Sequence, residues 1–179
     1  ILINDLKLII NVINEEKNEL RRYQDKALML IGFAGGFRRS ELVALEYDDI
    51  DFVNEGVKIV IKKSKTDQTG VGMTKAIPYF ENNNYCPVIS LKEWINLSKI
   101  EDGKIFDISD KSVALKIKKY ALLAGLEYKK YSGHSLRSGF ATTAAASGVE
   151  ERSIMAMTGH KSVEMVRRYI KDANLFKNN

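Results

Sequence analysis

Apolar positions recur at helical spacing through both ends of the chain and at strand spacing only in the middle. Between Asn4 and Glu15, Leu6, Ile9, Ile10 and Ile13 share one helical face, with Asn4 placed to cap it. Leu20 to Ala34 predicts a second helix, stopped at Gly35-Gly36, and a third begins at about Arg38 with Leu42 and Leu45 facing a core. The period then changes. Asp51–Val53, Val57–Lys62 and Lys75–Tyr79 are short β-prone runs, parted by Asn54-Glu55-Gly56 and by Thr66 to Gly72, which predicts an antiparallel three-stranded sheet. Helical spacing returns from Pro87 to about Ser98, where Val88, Leu91, Trp94 and Ile95 form a stripe that reads as core. Further helices are predicted from Ser109 as cap to Ala124, from Ser135 to Ser147, from Glu150 to Met157 and from Ser162 to Ile170. The fold class is α+β, mainly helical, with the small sheet at one edge.

Composition narrows the picture. A chain of 179 residues that is 45% hydrophobic can bury one good core, so a single domain over 1–179 is expected. The net charge of +5 favours a polyanionic partner but also fits an ordinary basic cytosolic protein. Cys86 is the only cysteine; it can neither form an internal disulfide nor build a zinc site, which points to a reducing compartment such as the cytoplasm. No apolar run approaches the roughly 20 residues of a membrane span. The chain begins at Ile1 with nothing like a signal peptide after it, and reads as a fragment whose N-terminal part was left out. Asp48, Asp49 and Asp51 do not open a calcium loop, because Val53, Glu55 and Val57 stand at the later ligand positions; no metal is expected.

The chemistry gathers in the last quarter. Both histidines, His134 and His160, directly follow a glycine at a predicted helix entrance, where unpaired N–H groups and the helix dipole favour an anion. Arg137 lies one helical turn past His134, and Tyr169 follows His160 by nine residues. Far upstream, Arg38 opens a helix beside a double glycine and pairs at i, i+3 with Glu41, a spacing that is more often a surface ion pair. Lys62, Lys63, Lys65 and Lys75 flank the second hairpin connection; lysines there usually protect a solvated edge, but such a hairpin can also enter a DNA groove. Lys111, Lys116, Lys118, Lys119, Lys129 and Lys130 line the polar face and exit of one helix, as a solvated or a DNA-facing surface.

With these parts placed, the chain resembles the catalytic domain of the tyrosine recombinases, the phage integrase family, over nearly its full length. The motifs are Gly36-Phe37-Arg38-Arg39-Ser40-Glu41-Leu42, Lys63-Ser64-Lys65-Thr66, Gly133-His134-Ser135-Leu136-Arg137, Thr158-Gly159-His160 and Tyr169, in the family's order and at its usual spacings. Each alone is weak, whereas all of them in register are specific. The resemblance implies a mainly helical domain with a small edge sheet. It implies a catalytic set of Arg38, Lys65, His134, Arg137, His160 and Tyr169, supported by Glu41, with Arg39, Lys63, Lys75 and Lys161 as DNA-binding residues. The implied activity is that of a site-specific recombinase or integrase, which cuts and rejoins double-stranded DNA through a 3′-phosphotyrosyl intermediate without metal or small-molecule cofactor. The implied setting is a tetrameric synapse on DNA in the prokaryotic cytosol or nucleoid, with the DNA-clamping N-terminal domain missing from this fragment.

The groups suit that reaction. Guanidinium forks of Arg38 and Arg137 match the non-bridging oxygens on which charge collects. The histidines can donate to the same oxygens or take the phenol proton, and Lys65 is the natural acid for the leaving 5′ oxygen. Two other readings use the same residues: a relaxing topoisomerase of type IB, and a DNA-binding regulator that kept the fold without the reaction. In the tail, Leu175 and Phe176 make a small apolar anchor, expected either to reach a neighbouring subunit or to remain a disordered end.

Overall fold

The computed structural model describes residues 1–62 and 72–174, the side chains of 172 and 173 excepted. Lys63 and Lys65 and the anchor at Leu175 and Phe176 lie outside the described residues. Helix α2 (Glu19–Ala34) forms the spine, because every residue from Ala27 to Ala34 is buried. Asn18 caps it by accepting from the Arg21 N–H at 2.9 Å. Helix α1 (Ile3–Asn14) lays Leu6, Ile9, Ile10 and Ile13 against it. Each of these side chains contributes about 1.5–3 kcal/mol by leaving water. The helix starts two residues earlier than the Asn4 cap predicts, since the Asp5 carboxylate accepts from the Leu2 N–H at 3.0 Å and satisfies the start itself.

Helix α3 (Arg39–Ala44) follows α2 after a single turn, with Arg38 as its N-cap. Strands β1 (Ile50–Val53), β2 (Gly56–Ile61) and β3 (Met73–Pro78) then form an antiparallel sheet in the order β1-β2-β3. Val57, Ile59 and Ile61 of β2 alternate inward, and Ile59 stands opposite Lys75 of β3. Helix α4 (Pro87–Ser98) packs on α2, and Trp94 donates its indole N–H to the Ile105 carbonyl at 2.9 Å, so the tryptophan belongs to the core. Helix α5 (Asp110–Leu123), capped by Ser109, closes the other side. Its Tyr120 hydroxyl donates to buried Asp25 at 2.5 Å, and Lys116 meets the same carboxylate at 2.7 Å. Lys116 is therefore an internal counter-ion rather than a DNA-facing or solvated group.

Helices α6 (Ser135–Ala146), α7 (Glu151–Thr158) and α8 (Val163–Asn174) complete the described chain. They share a second small core of Ala141, Ala144, Ala145, Ile154 and Val166, against which Tyr169 and Ile170 pack. The alanine face of α6 lets α8 approach closely. Helix α8 runs four residues beyond the Ile170 expected from apolar spacing, so Tyr169 lies within a helix rather than at its end. No helix among the described residues is long and apolar enough to cross a membrane.

Candidate active site

Three turns converge on one place. The first, Gly35 to Arg38 between α2 and α3, bends because Gly36 takes a left-handed φ of 56°. A side chain at Gly36 would also meet Phe140 Cδ1 at 2.9 Å and Thr158 Cγ2 at 3.2 Å, so this turn sits directly against α6 and the end of α7. Arg38 comes out of it with its orientation fixed by Glu41. One carboxylate oxygen accepts from the Arg38 backbone N–H at 2.8 Å and the other from Nη1 at 2.7 Å. Glu41 is 3% exposed, so the pair is a buried positioning contact and not the surface ion pair its spacing more often makes.

The second turn leads into α6. Arg137, 5% exposed on its first turn, donates Nη1 to the Gly36 carbonyl at 3.1 Å. Its other terminal nitrogen, Nη2, is buried and has no acceptor among the described residues. Burial and then the neighbouring Arg38 pull the Arg137 pKa down to about 10, which leaves it cationic at neutral pH. A buried guanidinium N–H without a protein partner is a standing demand for an anion. His134 is exposed at the N-terminus of α6. Arg39 lies across Gly133 beside it, since a Cβ on that glycine would strike Arg39 Cδ at 1.9 Å. The same arginine stands 4.0 Å from Asp110 and is thus partly engaged by protein.

The third turn ends α7 at Gly159, left-handed at φ 67°, and delivers His160. Thr158 donates its single hydroxyl proton to the Ile154 carbonyl at 2.6 Å, and the same oxygen lies 2.7 Å from His160 Nδ1. Nδ1 must therefore carry the imidazole proton, which leaves Nε2 with a lone pair. His160 is 8% exposed, and burial first, then Arg137, Arg38 and Lys75, push its pKa down to about 4. Its ring centroid is 5.8 Å from that of Tyr169, tilted by 37°. Between about pH 6.5 and 4 the unfolded chain binds a proton here that the folded chain refuses, so stability falls as pH falls through that window. His160→Gln should shrink the difference between urea midpoints at pH 7 and pH 4.5. An unchanged difference would mean that this imidazole is not buried neutral.

The structure thus brings Arg38, Glu41, Arg137, His160 and Tyr169 together. Lys161 is exposed just past His160. Lys75 requires a correction. Expected at the DNA surface, it is 0% exposed on β3, and its ammonium donates to the carbonyls of Gly35, at 2.7 Å, and Met157. Three features had escaped the sequence reading: the Thr158 lock on His160, the Gly36 carbonyl under Arg137, and buried Lys75. Only the last had left a signal, because Met73, Lys75 and Ile77 alternate on the inward face of β3.

Cationic donors converge here beside a phenol, an arrangement suited to holding an anion against the Tyr169 ring. The chain belongs to the phage integrase family, whose model matches residues 2–175. An integrase/recombinase xerD homolog from Selenomonas ruminantium is 46% identical over 191 residues, covering 100% of this chain and 55% of that protein. A tyrosine recombinase XerD from Proteus mirabilis is 30% identical over 167 residues, covering 87% of this chain and 49% of its own length. The XerH site-specific recombinase bound to palindromic difH substrate has the same fold, with a TM-score of 0.80 at 19% identity over 99% of this chain and 50% of that one. The chain thus spans about half the length of the relatives it matches.

Proposed function

We propose that this chain is the catalytic domain of a site-specific DNA recombinase or integrase that cuts and rejoins strands through Tyr169, working on double-stranded DNA within a multi-subunit synapse in a prokaryotic cytosol or nucleoid. The observation that carries this reading is the buried Nη2 of Arg137, a cationic donor with no acceptor among the described residues, close to Arg38, His160 and Tyr169. A phosphodiester supplies the missing acceptor. The relatives carry recombinase and integrase names, which favours strand exchange over DNA relaxation.

In this reading the Tyr169 oxygen attacks phosphorus in line, a P–O bond to the phenol forms, and the P–O5′ bond breaks. The phenol proton passes to a histidine; the bare Nε2 of His160 lies on a ring beside Tyr169, and a phosphate anion bound by Arg38 and Arg137 offsets the cations that otherwise hold its pKa down. Arg38 and Arg137 bind the charge that grows on the non-bridging oxygens, where two planar forks do what a metal would otherwise do. Lys65 gives a proton to the departing 5′ oxygen. The phosphotyrosyl ester keeps the bond energy, so another 5′ hydroxyl can displace the tyrosine without a nucleotide cofactor.

A nicked suicide duplex tests this. The parent chain should form an adduct that survives a denaturing gel, and Tyr169→Phe should fold and bind DNA but form none. An adduct on the phenylalanine variant would place the nucleophile on another tyrosine.

A further inference from the structure

Lys75 is the one fully buried lysine among the described residues, and its place is unlike that of a stabilising core residue. It rises from β3 between the C-terminal ends of two helices: the Gly35 carbonyl closes α2, and the Met157 carbonyl belongs to the last turn of α7. Those ends carry partial negative charge, which a cation complements. One of them leads into Gly36-Phe37-Arg38 and the other into Thr158-Gly159-His160. The Phe37 ring lies 4.8 Å from the ammonium, and the β3 neighbour Met73 stands 3.3 Å from where a Cβ on Gly159 would be. Lys75 therefore ties together the two turns that carry Arg38 and His160.

We propose that Lys75 is a positioning residue of the cleavage site, presupposing cleavage by Tyr169 as above: its ammonium, bonded to the Gly35 and Met157 carbonyls, fixes the spacing of the Arg38 and His160 turns around the phosphate and adds a positive charge beneath it. It does not act as the acid for the leaving oxygen, because it is enclosed and its N–H groups are directed at carbonyls. Its charge carries a cost in desolvation. The charged groups acting on it are Glu41 from α3, Arg38 from the first turn and Arg137 from α6, and it in turn acts on His160. Burial outweighs Glu41 and brings its pKa from 10.5 down to about 8, so at neutral pH the ammonium weakens the fold and that penalty is relieved only as pH rises above 8. A group held against stability at a reaction centre is better explained by the reaction.

Lys75→Met keeps the unbranched side chain to within one atom of its length and removes its charge. In the 179-residue chain it should shift Tm by no more than about 4 °C, while cleavage of the nicked duplex slows roughly 100-fold. The loss should persist on a 5′-bridging phosphorothiolate substrate, whose sulfur leaves without a proton. Without DNA, the His160 ring protons should titrate at a higher pH than in the parent, because a nearby cation has gone. Cleavage within 3-fold of the parent, full rescue by the phosphorothiolate, or an unmoved His160 titration would each overturn the proposal. If Lys75→Met does not fold, the parent decides. Its cleavage rate on the phosphorothiolate at sub-saturating DNA should decline as pH rises through about 8, and a rate that is flat or rising to pH 9.5 would overturn the proposal. A parent that forms no Tyr169 adduct at all would instead refute the recombinase reading, and the DNA-free titration would still judge the charge contact.

Discussion

Arg137→Lys should slow adduct formation on the nicked duplex by roughly 1,000-fold, although the formal charge is unchanged. The wild-type side chain works through its shape. Nη1 is spent on the Gly36 carbonyl, 3.1 Å away, which aligns the fork and holds the Arg38 turn. Nη2 is left buried without an acceptor among the described residues, so an entering anion can supply one. Lysine has one nitrogen and a shorter reach, so it can keep the carbonyl or meet the phosphate, but not both at the right angle. Part of the loss is then misplacement of Arg38, whose turn loses its tie. Folding should survive, because lysine keeps a donor for the Gly36 carbonyl and no longer buries a second N–H that lacks an acceptor. Single-turnover cleavage, with Tm and duplex binding measured on the same samples, checks this. A variant that cleaves within 10-fold of the parent would show that this position needs only a charge.

The contrast between Arg137 and Lys75 shows what the sequence disclosed and what it concealed. Helices α1, α2, α4 and α5 were legible because their apolar residues repeat at helical spacing and because Gly35, Pro87 and Ser109 mark ends of the last three. The three strands were legible from alternation and turn residues. Arg38, Arg137, His160 and Tyr169 were singled out by motif, but their motifs are silent on the contacts between them. The Gly36 carbonyl and the Thr158 hydroxyl are generic groups that acquire a role only when α6 and α7 pack beside the first turn. Lys75 was misread for a different reason. A lysine is assigned to the surface by its type, and here a strand register that aligns it with Ile77 overrode that preference, at a cost in desolvation that no local pattern reveals. The far end of α8 was underestimated because Lys171 to Asn174 offer no large apolar residue to mark a face.

Loss of the general acid should be as large as loss of a fork, and it should have a chemical remedy. Lys65→Ala is expected to cleave ordinary DNA roughly 100- to 1,000-fold more slowly, since positioned proton transfer supplies about that much. Of the lysines around the hairpin connection, two are engaged elsewhere. Lys62 sits 2.6 Å from Glu46 Oε2 and 3.1 Å from Asp49 Oδ1 at the base of β2, and these carboxylates raise its pKa, which makes it a reluctant donor. Lys75 is enclosed behind the Arg38 turn. Lys63 and Lys65 remain, and the Ser64-Lys65-Thr66 pattern favours Lys65. An alkoxide leaves poorly unless it is protonated as the P–O5′ bond breaks, whereas a thiolate leaves unaided. A 5′-bridging phosphorothiolate should therefore return Lys65→Ala to within about 10-fold of the parent on the same substrate and leave Arg137→Lys slow, because the non-bridging oxygens still need their donors. Rescue confined to Lys63→Ala would move the acid two residues upstream. Rescue of neither would mean that the leaving oxygen takes its proton from some other group in the cleft.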